Sequence, residues 1–189
     1  LSSPINIGTP QPRFSWEYSA TEGHQKSYRL IVAADEKFEN ILWDSGKVAS
    51  DRTMVKDAAE PLESFCRYWW KVETVMDGGN KVKCAPQCFE TAALEDYEWQ
   101  SRWITDGYDK DYAPAPMMRR SFNVEGGLES AKLCISAAAY YKLTINGEPV
   151  DNTVLDPGFT DYSKTNLYST YDITSKLSAG ENVIAAVLG

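Results

Sequence analysis

The segment "CRYWWKVETVMDGGNKV" (residues 66–82) constrains this chain most. Cys66, Tyr68, Trp70, Val72 and Thr74 recur at every second position. On a strand that period puts all five on one face, whereas on a helix they would be scattered around the axis. The residues are aromatic and β-branched, the types that pack well on a pleated surface. "MDGGNK" supplies a turn at its end. A strand of this kind needs partners, and the preceding sequence offers them. "PRFSWEYS" sets Phe14, Trp16 and Tyr18 on one face, and "SYRLIVAAD" does the same for Tyr28, Leu30 and Val32. "ILWDSGKV" and "QCFETA" read as shorter strands. With no helical stretch among them, these strands predict a β-sandwich. Leu62 ahead of the alternating Tyr68, Trp70 and Val72 has the look of a tyrosine corner, in which the hydroxyl bonds back to the turn, as in fibronectin type III domains.

From Ala93 to Pro116 the alternation lapses into a polar, aromatic, proline-bearing stretch, read as the connection between two domains. Trp99 and Trp103 are expected to anchor it. Strands then resume with "MMRRSFNV" and "SAKLCISAAAYYKLTINGEPV", where Leu133 and Ile135 share a face, as do Tyr141, Leu143 and Ile145. Asn146-Gly147 is the strongest hairpin signal in the chain, because a type I′ turn needs positive φ at both central residues. Gly78-Gly79 and Gly126-Gly127 are also read as hairpin-type turns. "LYSTYDI" predicts a strand, and "TSKLSAG" a helical turn capped by Thr174 and closed by Gly180. "ENVIAAVLG" predicts a last strand whose Val183, Ile184, Val187 and Leu188 need neighbours on both sides. The expectation is two all-β domains, 1–94 and 116–189, joined by 95–115, the second incomplete at its C-terminus and exposing an edge open to self-association.

The totals exclude several function classes. The chain has 189 residues with a formal net charge of −8 and pI near 4.7, which disfavours a nucleic-acid partner. No apolar run is long enough to span a membrane. No positively charged, apolar leader is visible. Cys66, Cys84, Cys88 and Cys134 are too few for a disulfide-built scaffold and are read as free or partly buried thiols. The single histidine, His24, lies in the polar turn "EGHQ", which argues against a Ser-His-Asp triad and a zinc site. Glycoside hydrolysis needs two carboxyl groups flanking the scissile bond. Among 27 acidic residues some pair meets that spacing by chance. Asp156, before Pro157-Gly158, and Asp161 are read as turn carboxylates bonded to nearby backbone N–H groups. Asp172 is read as a cap or dipole partner of the helical turn. Phe159 and Tyr162 are read as a lid over a sandwich edge, with sugar stacking as the alternative.

In order along the chain, "TPQPRFSWEY", "YRLIVA", "LWDSGKV", "RYWWKV" and "FET" resemble the opening domain of bacterial α-L-rhamnosidases. "WQSRWI", "PAPMMRRSF", "AAAYYKLTINGEPV", "LDPGFTDYSK", "LYSTYDIT" and "GENVIAAVLG" resemble the domain that follows it in that family. The resemblance implies a fibronectin-III-like sandwich, then a galactose-binding-type jelly roll. A catalytic (α/α)6 barrel lies later, and no catalytic residue is carried onto this sequence. It also implies a rhamnose-bearing glycan as the parent's substrate, the barrel of the parent chain as partner, and a periplasmic or extracellular location, with the cytoplasm open. Some jelly rolls of this family resemble calcium-assisted rhamnose-binding modules with an adjacent Asp-Asn pair after the hairpin strand. Asp151-Asn152 stands at that place, so the resemblance implies a carbohydrate contact and calcium ligands there, with a solvated loop as the alternative. An accessory part of a β-galactosidase or glucuronidase relative, and a cell-surface adhesion module, are the other readings.

Overall fold

The structure is a computed structural model that describes residues 3–19, 21, 23–56, 62–107, 111 and 114–189. The chain divides into two compact units, Leu1–Gln100 and Ser101–Gly189. Among the described residues no helix is long and apolar enough to cross a membrane.

The first unit holds β1 (Phe14–Ser15), β2 (Gln25–Ala33), β3 (Ile41–Asp44), β4 (Met54–Val55), β5 (Arg67–Met76), β6 (Lys81–Lys83) and β7 (Gln87–Glu90). Its larger sheet runs β3-β2-β5, all antiparallel, and two short strands share the far edge of β5. β6 pairs with residues Glu73 to Val75 and β7 with Arg67 to Trp70. β1 and β4 form a small second sheet. Phe14 and Trp16 bring it into one buried cluster with Leu30, Val32, Leu62, Tyr68, Val72 and Phe89. The expected alternation is therefore what fills this core. Phe14 sits with its ring centroid 5.2 Å from Trp70 and 5.6 Å from Phe89, spacings at which aromatic edges and faces attract.

Buried polar groups in this unit are satisfied. The Trp16 Nε1–H donates to Gln25 Oε1 at 2.8 Å, and Gln25 Nε2 donates to the carbonyls of Ser50 and Arg52. The tyrosine corner is present, with the Glu63 N–H donating to the Tyr68 hydroxyl at 3.0 Å. Gly78-Gly79 turns the β5–β6 hairpin as expected, Gly79 at φ +83°. β4 escaped the sequence reading because two residues are too short to show a period. Trp99 is anchored by edge-on contacts with Phe65 and Tyr97, whereas Trp103 stays 66% exposed.

The second unit holds β8 (Met117–Val124), β9 (Lys132–Ser136), β10 (Tyr141–Ile145), β11 (Glu148–Pro149), β12 (Tyr168–Asp172) and β13 (Gly180–Leu188). A four-stranded sheet, β11-β10-β13-β8, faces a two-stranded one, β12-β9. The core gathers Tyr141, Leu143 and Ile145 with Ala137, Val150 and Ile173. Asn146 and Gly147 have φ of +52° and +85°, the primed turn expected of them.

Three expectations are corrected here. β13 is not an exposed edge. Its register runs with β10 on one side and β8 on the other, so the strand expected to invite self-association is interior. Gly126-Gly127 does not turn a hairpin, because β8 and β9 lie in different sheets and the segment crosses between them. The helical turn is a single 3-10 turn, Thr174–Lys176, and Thr174 does not cap it. The Asp172 carboxylate accepts from the Thr174 N–H and hydroxyl, while Thr174 Oγ1 accepts from the Ala131 N–H at 2.9 Å. Gly180, at φ +94°, opens β13 instead of closing the turn.

Candidate functional site

In the second unit a group of polar side chains meets at the long loop between β11 and β12. β10 and β12 present Tyr141, Ser169 and Tyr171 toward one loop carboxylate, Asp156. Ser169 donates to Asp156 Oδ1 at 2.7 Å and Tyr141 to Oδ2 at 3.1 Å. The Tyr171 hydroxyl donates to the same Oδ2 and lies 3.0 Å from that of Tyr141. The Asp156 carbonyl meanwhile accepts from the Tyr141 N–H at 3.1 Å. The loop is thus tied to β10 by backbone and side chain together.

These contacts set the protonation. Burial alone would raise the Asp156 carboxyl, but hydrogen bonds from Tyr171, Ser169 and Tyr141 outweigh it and hold the group below its ordinary value. Burial raises both phenols, and the Asp156 charge adds to the rise at Tyr171. A general acid of glycoside hydrolysis needs the opposite, a carboxyl kept protonated near neutral pH. Asp156 is an acceptor fixed in its charged form. The expectation that it bonds backbone N–H groups is corrected, since its carboxylate accepts from side-chain hydroxyls.

Asp161 fits its expected part, accepting from the Ser163 N–H at 3.1 Å and hydroxyl at 2.6 Å, with Lys164 3.0 Å away. It does not join Asp156 in a shared cluster. Asp172 is held down to a pKa of about 2, first by Lys132 at 2.6 Å and then by Thr174.

Asp151 and Asn152 lie exposed just after Val150. Both carboxylate oxygens of Asp151 are engaged by Thr153, one by its N–H at 3.1 Å and one by its hydroxyl. Calcium takes six to eight oxygen ligands, commonly several carboxylates. Among the described residues no group of three or more His, Cys, Asp or Glu is gathered to hold an ion, and the pair alone does not build a calcium shell. Phe159 and Tyr162 meet edge-on at 5.4 Å, but Phe159 is 73% exposed, so it is no lid over an edge. His24 is exposed, and all four cysteines are free thiols.

The first unit carries an open cleft of about 630 Å³ lined by Phe14, Trp70, Phe89, Gln87, Arg13 and Lys56 among others, and among the described residues no carboxylate is in its walls. Sequence reasoning missed the Asp156 cluster. Its signal was present in the alternation, which puts Tyr141 on the inner face of β10, and in "YSTYD", where Ser169 and Tyr171 share a face two residues apart.

Comparison with known proteins then settles the family. Residues 1–95 match the family described as Rha78A-like, N-terminal immunoglobulin domain. The chain belongs to that family. Residues 126–189 match a second family, the α-L-rhamnosidase N-terminal domain. An α-L-rhamnosidase of Formosa agariphila is 33% identical across 100% of this chain, which spans 23% of that relative. One from Streptomyces avermitilis is 28% identical over 98% of the chain and 20% of its own length. The solved α-L-rhamnosidase of Dictyoglumus thermophilum superposes with a TM-score of 0.87 at 31% identity, over 100% of this chain and 24% of that one. That of Aspergillus terreus superposes at 0.81 with 25% identity, over 99% and 22%. The chain therefore corresponds to the N-terminal quarter, or less, of α-L-rhamnosidases, and the domain order expected from its motifs is the order of the two family matches.

Proposed function

We propose that this chain is the N-terminal accessory region of a longer α-L-rhamnosidase-like glycoside hydrolase, and that it braces a catalytic barrel supplied by the rest of that protein. One observation carries the reading: the whole chain aligns with only about a fifth to a quarter of each α-L-rhamnosidase it matches. The chemistry agrees. The Asp156 cluster holds one Asp, charged and saturated with hydroxyl donors, and among the described residues no second carboxyl group joins it. On this reading the longer protein removes terminal α-L-rhamnose from glycans in the periplasm or outside the cell, and the glycan is held by the barrel.

Release of the aryl group from an aryl α-L-rhamnoside tests it. The full-length product should turn the substrate over, and the 189-residue chain should match buffer. Turnover by the short chain, abolished in Asp156→Asn, would place the chemistry here and refute the proposal.

A further inference from the structure

The open cleft of the first unit combines aromatic rings with unpaired cations. Phe14 and Phe89, both buried, give it an apolar base, and Trp70 is half-buried in its wall. Among the described residues no hydrogen bond engages the Trp70 indole N–H. Trp70 is paired with Gln87 across β5 and β7, so an amide stands beside the indole. The register of β1 with β4 runs Ser15↔Met54 and Phe14↔Val55, and Arg13 and Lys56 stand one residue beyond that last pair on the two facing strands. Both line the cleft and both are exposed. Neither is in an ion pair or a hydrogen bond among the described residues. Like charges on facing strands repel and cost stability. They do so here in a chain with 27 acidic residues and a net charge of −8, yet no carboxylate among the described residues lines this cleft.

An anion between the two cations turns that repulsion into attraction. The guanidinium fork of Arg13 matches a carboxylate, and the Lys56 ammonium adds a second charge-assisted donor. The rest of the cleft suits a ring that has an apolar face and polar edges, because an indole accepts the face while the Gln87 amide and the indole N–H bond hydroxyls. A volume of about 630 Å³ lies within the range of about 300–1,000 Å³ of small-ligand sites. We infer that this cleft binds a carboxylated sugar of an acidic glycan, with the carboxylate between Arg13 and Lys56 and the ring against Trp70. The choice of a sugar rests on the functional reading above, in which the longer protein works on glycans. The demand for an anion rests on the cleft alone.

Titration of the 189-residue chain with a glucuronate disaccharide at low salt tests it, read by the NMR signal of the Trp70 indole N–H, which Trp70→Phe identifies. The signal should shift and saturate. The methyl ester of the same disaccharide keeps the ring and loses the charge, and it should bind at least about tenfold more weakly. Arg13→Gln and Lys56→Gln should each weaken uronate binding at least about fivefold. Both side chains are exposed and unpaired, so the Tm of either variant should hold or rise as the repulsion is relieved. An unmoved Trp70 signal, or equal binding of acid and ester, would overturn the inference. So would a fall in Tm for Arg13→Gln, which would mark a structural partner. Tighter binding of an acidic peptide would assign the cleft to a protein instead, and displacement by acetate at equal concentration would leave only a bare anion site. A full-length protein that binds the uronate here yet hydrolyses no rhamnoside would refute the functional reading alone. An active one that leaves the cleft empty would refute this inference alone.

Discussion

Leu30 and Val32, at the centre of the first unit, are both 0% exposed, while Leu133, Ile135, Ile184 and Ala186, which face one another in the second, are all half-buried. The residue types are alike, and so is the alternation that places them. What differs is the cover. In the first unit Phe14 and Trp16 reach from the small sheet onto a broad one, and aromatic volume fills the width that two short strands cannot. In the second unit a pair of strands opposes four, with Tyr141 and Tyr171 spending their inner positions on the Asp156 cluster. Burial scales with apolar area removed from water, at about 25 cal/mol per Å². Two sheets with equal patterning therefore differ in stability when one is underlaid.

The largest expected effect is in the first core. Trp16→Ala should cost about 3–5 kcal/mol through the cavity it leaves, with the further loss of the bond to Gln25. Leu133→Ala in the second core should cost about half of what Leu30→Ala costs, about 1–2 kcal/mol, because its side chain is half in water already. Urea unfolding read separately for each unit by hydrogen exchange checks both. Equal costs for Leu133→Ala and Leu30→Ala would erase the contrast.

Tyr171→Phe should come next. It removes a donor to the charged Asp156 carboxylate and should cost about 1.5–3 kcal/mol in the second unit alone. An unchanged midpoint would mean that the cluster does not tie the loop to β12.

Gly147→Ala forces a left-handed residue at φ +85° and should cost about 1–2 kcal/mol, again confined to the second unit. Asp172→Asn should be the mildest, about 1 kcal/mol at neutral pH, since the carboxylate of the pair with Lys132 is half exposed and screened by water. Its pH dependence has a definite sign. Asp172 has a folded pKa of about 2 against an ordinary 3.8, so its contribution is complete above about pH 4 and is lost as pH falls toward 2. The stability gap between wild type and Asp172→Asn should close over that window, and a gap that persists at pH 2 would show that the charge is not its source.

Much of the fold was legible because alternation is a local property. β5, β10 and the Asn146-Gly147 hairpin declare themselves within a few residues. Sheet membership is not local. Nothing near "ENVIAAVLG" says that β8, far back in the sequence, pairs along one side of it, so β13 was read as an edge and proved interior. Gly126-Gly127 misled for the same reason, since a turn between strands of one sheet and a crossing between two sheets use the same residues. The Asp156 cluster was hidden because its members lie on β10, a loop and β12, and only the packing of one sheet on the other brings them together. Asp172 was read as a cap or dipole partner of the turn because Thr174, which it does bond, stands two residues away. The turn's N-cap is Ile173, however, and the ion pair with Lys132, 40 residues back, was not legible.

The contrast between the units is tested most directly by native-state hydrogen exchange on the 189-residue chain. Amides at Leu30–Val32 and Tyr68–Val72 should exchange only with unfolding of the first unit. Those at Leu133–Ile135 should exchange at least about 100-fold faster through opening of the thinner sandwich. Equal protection at both sets would contradict the account, because it would show that two strands over four already make a closed core.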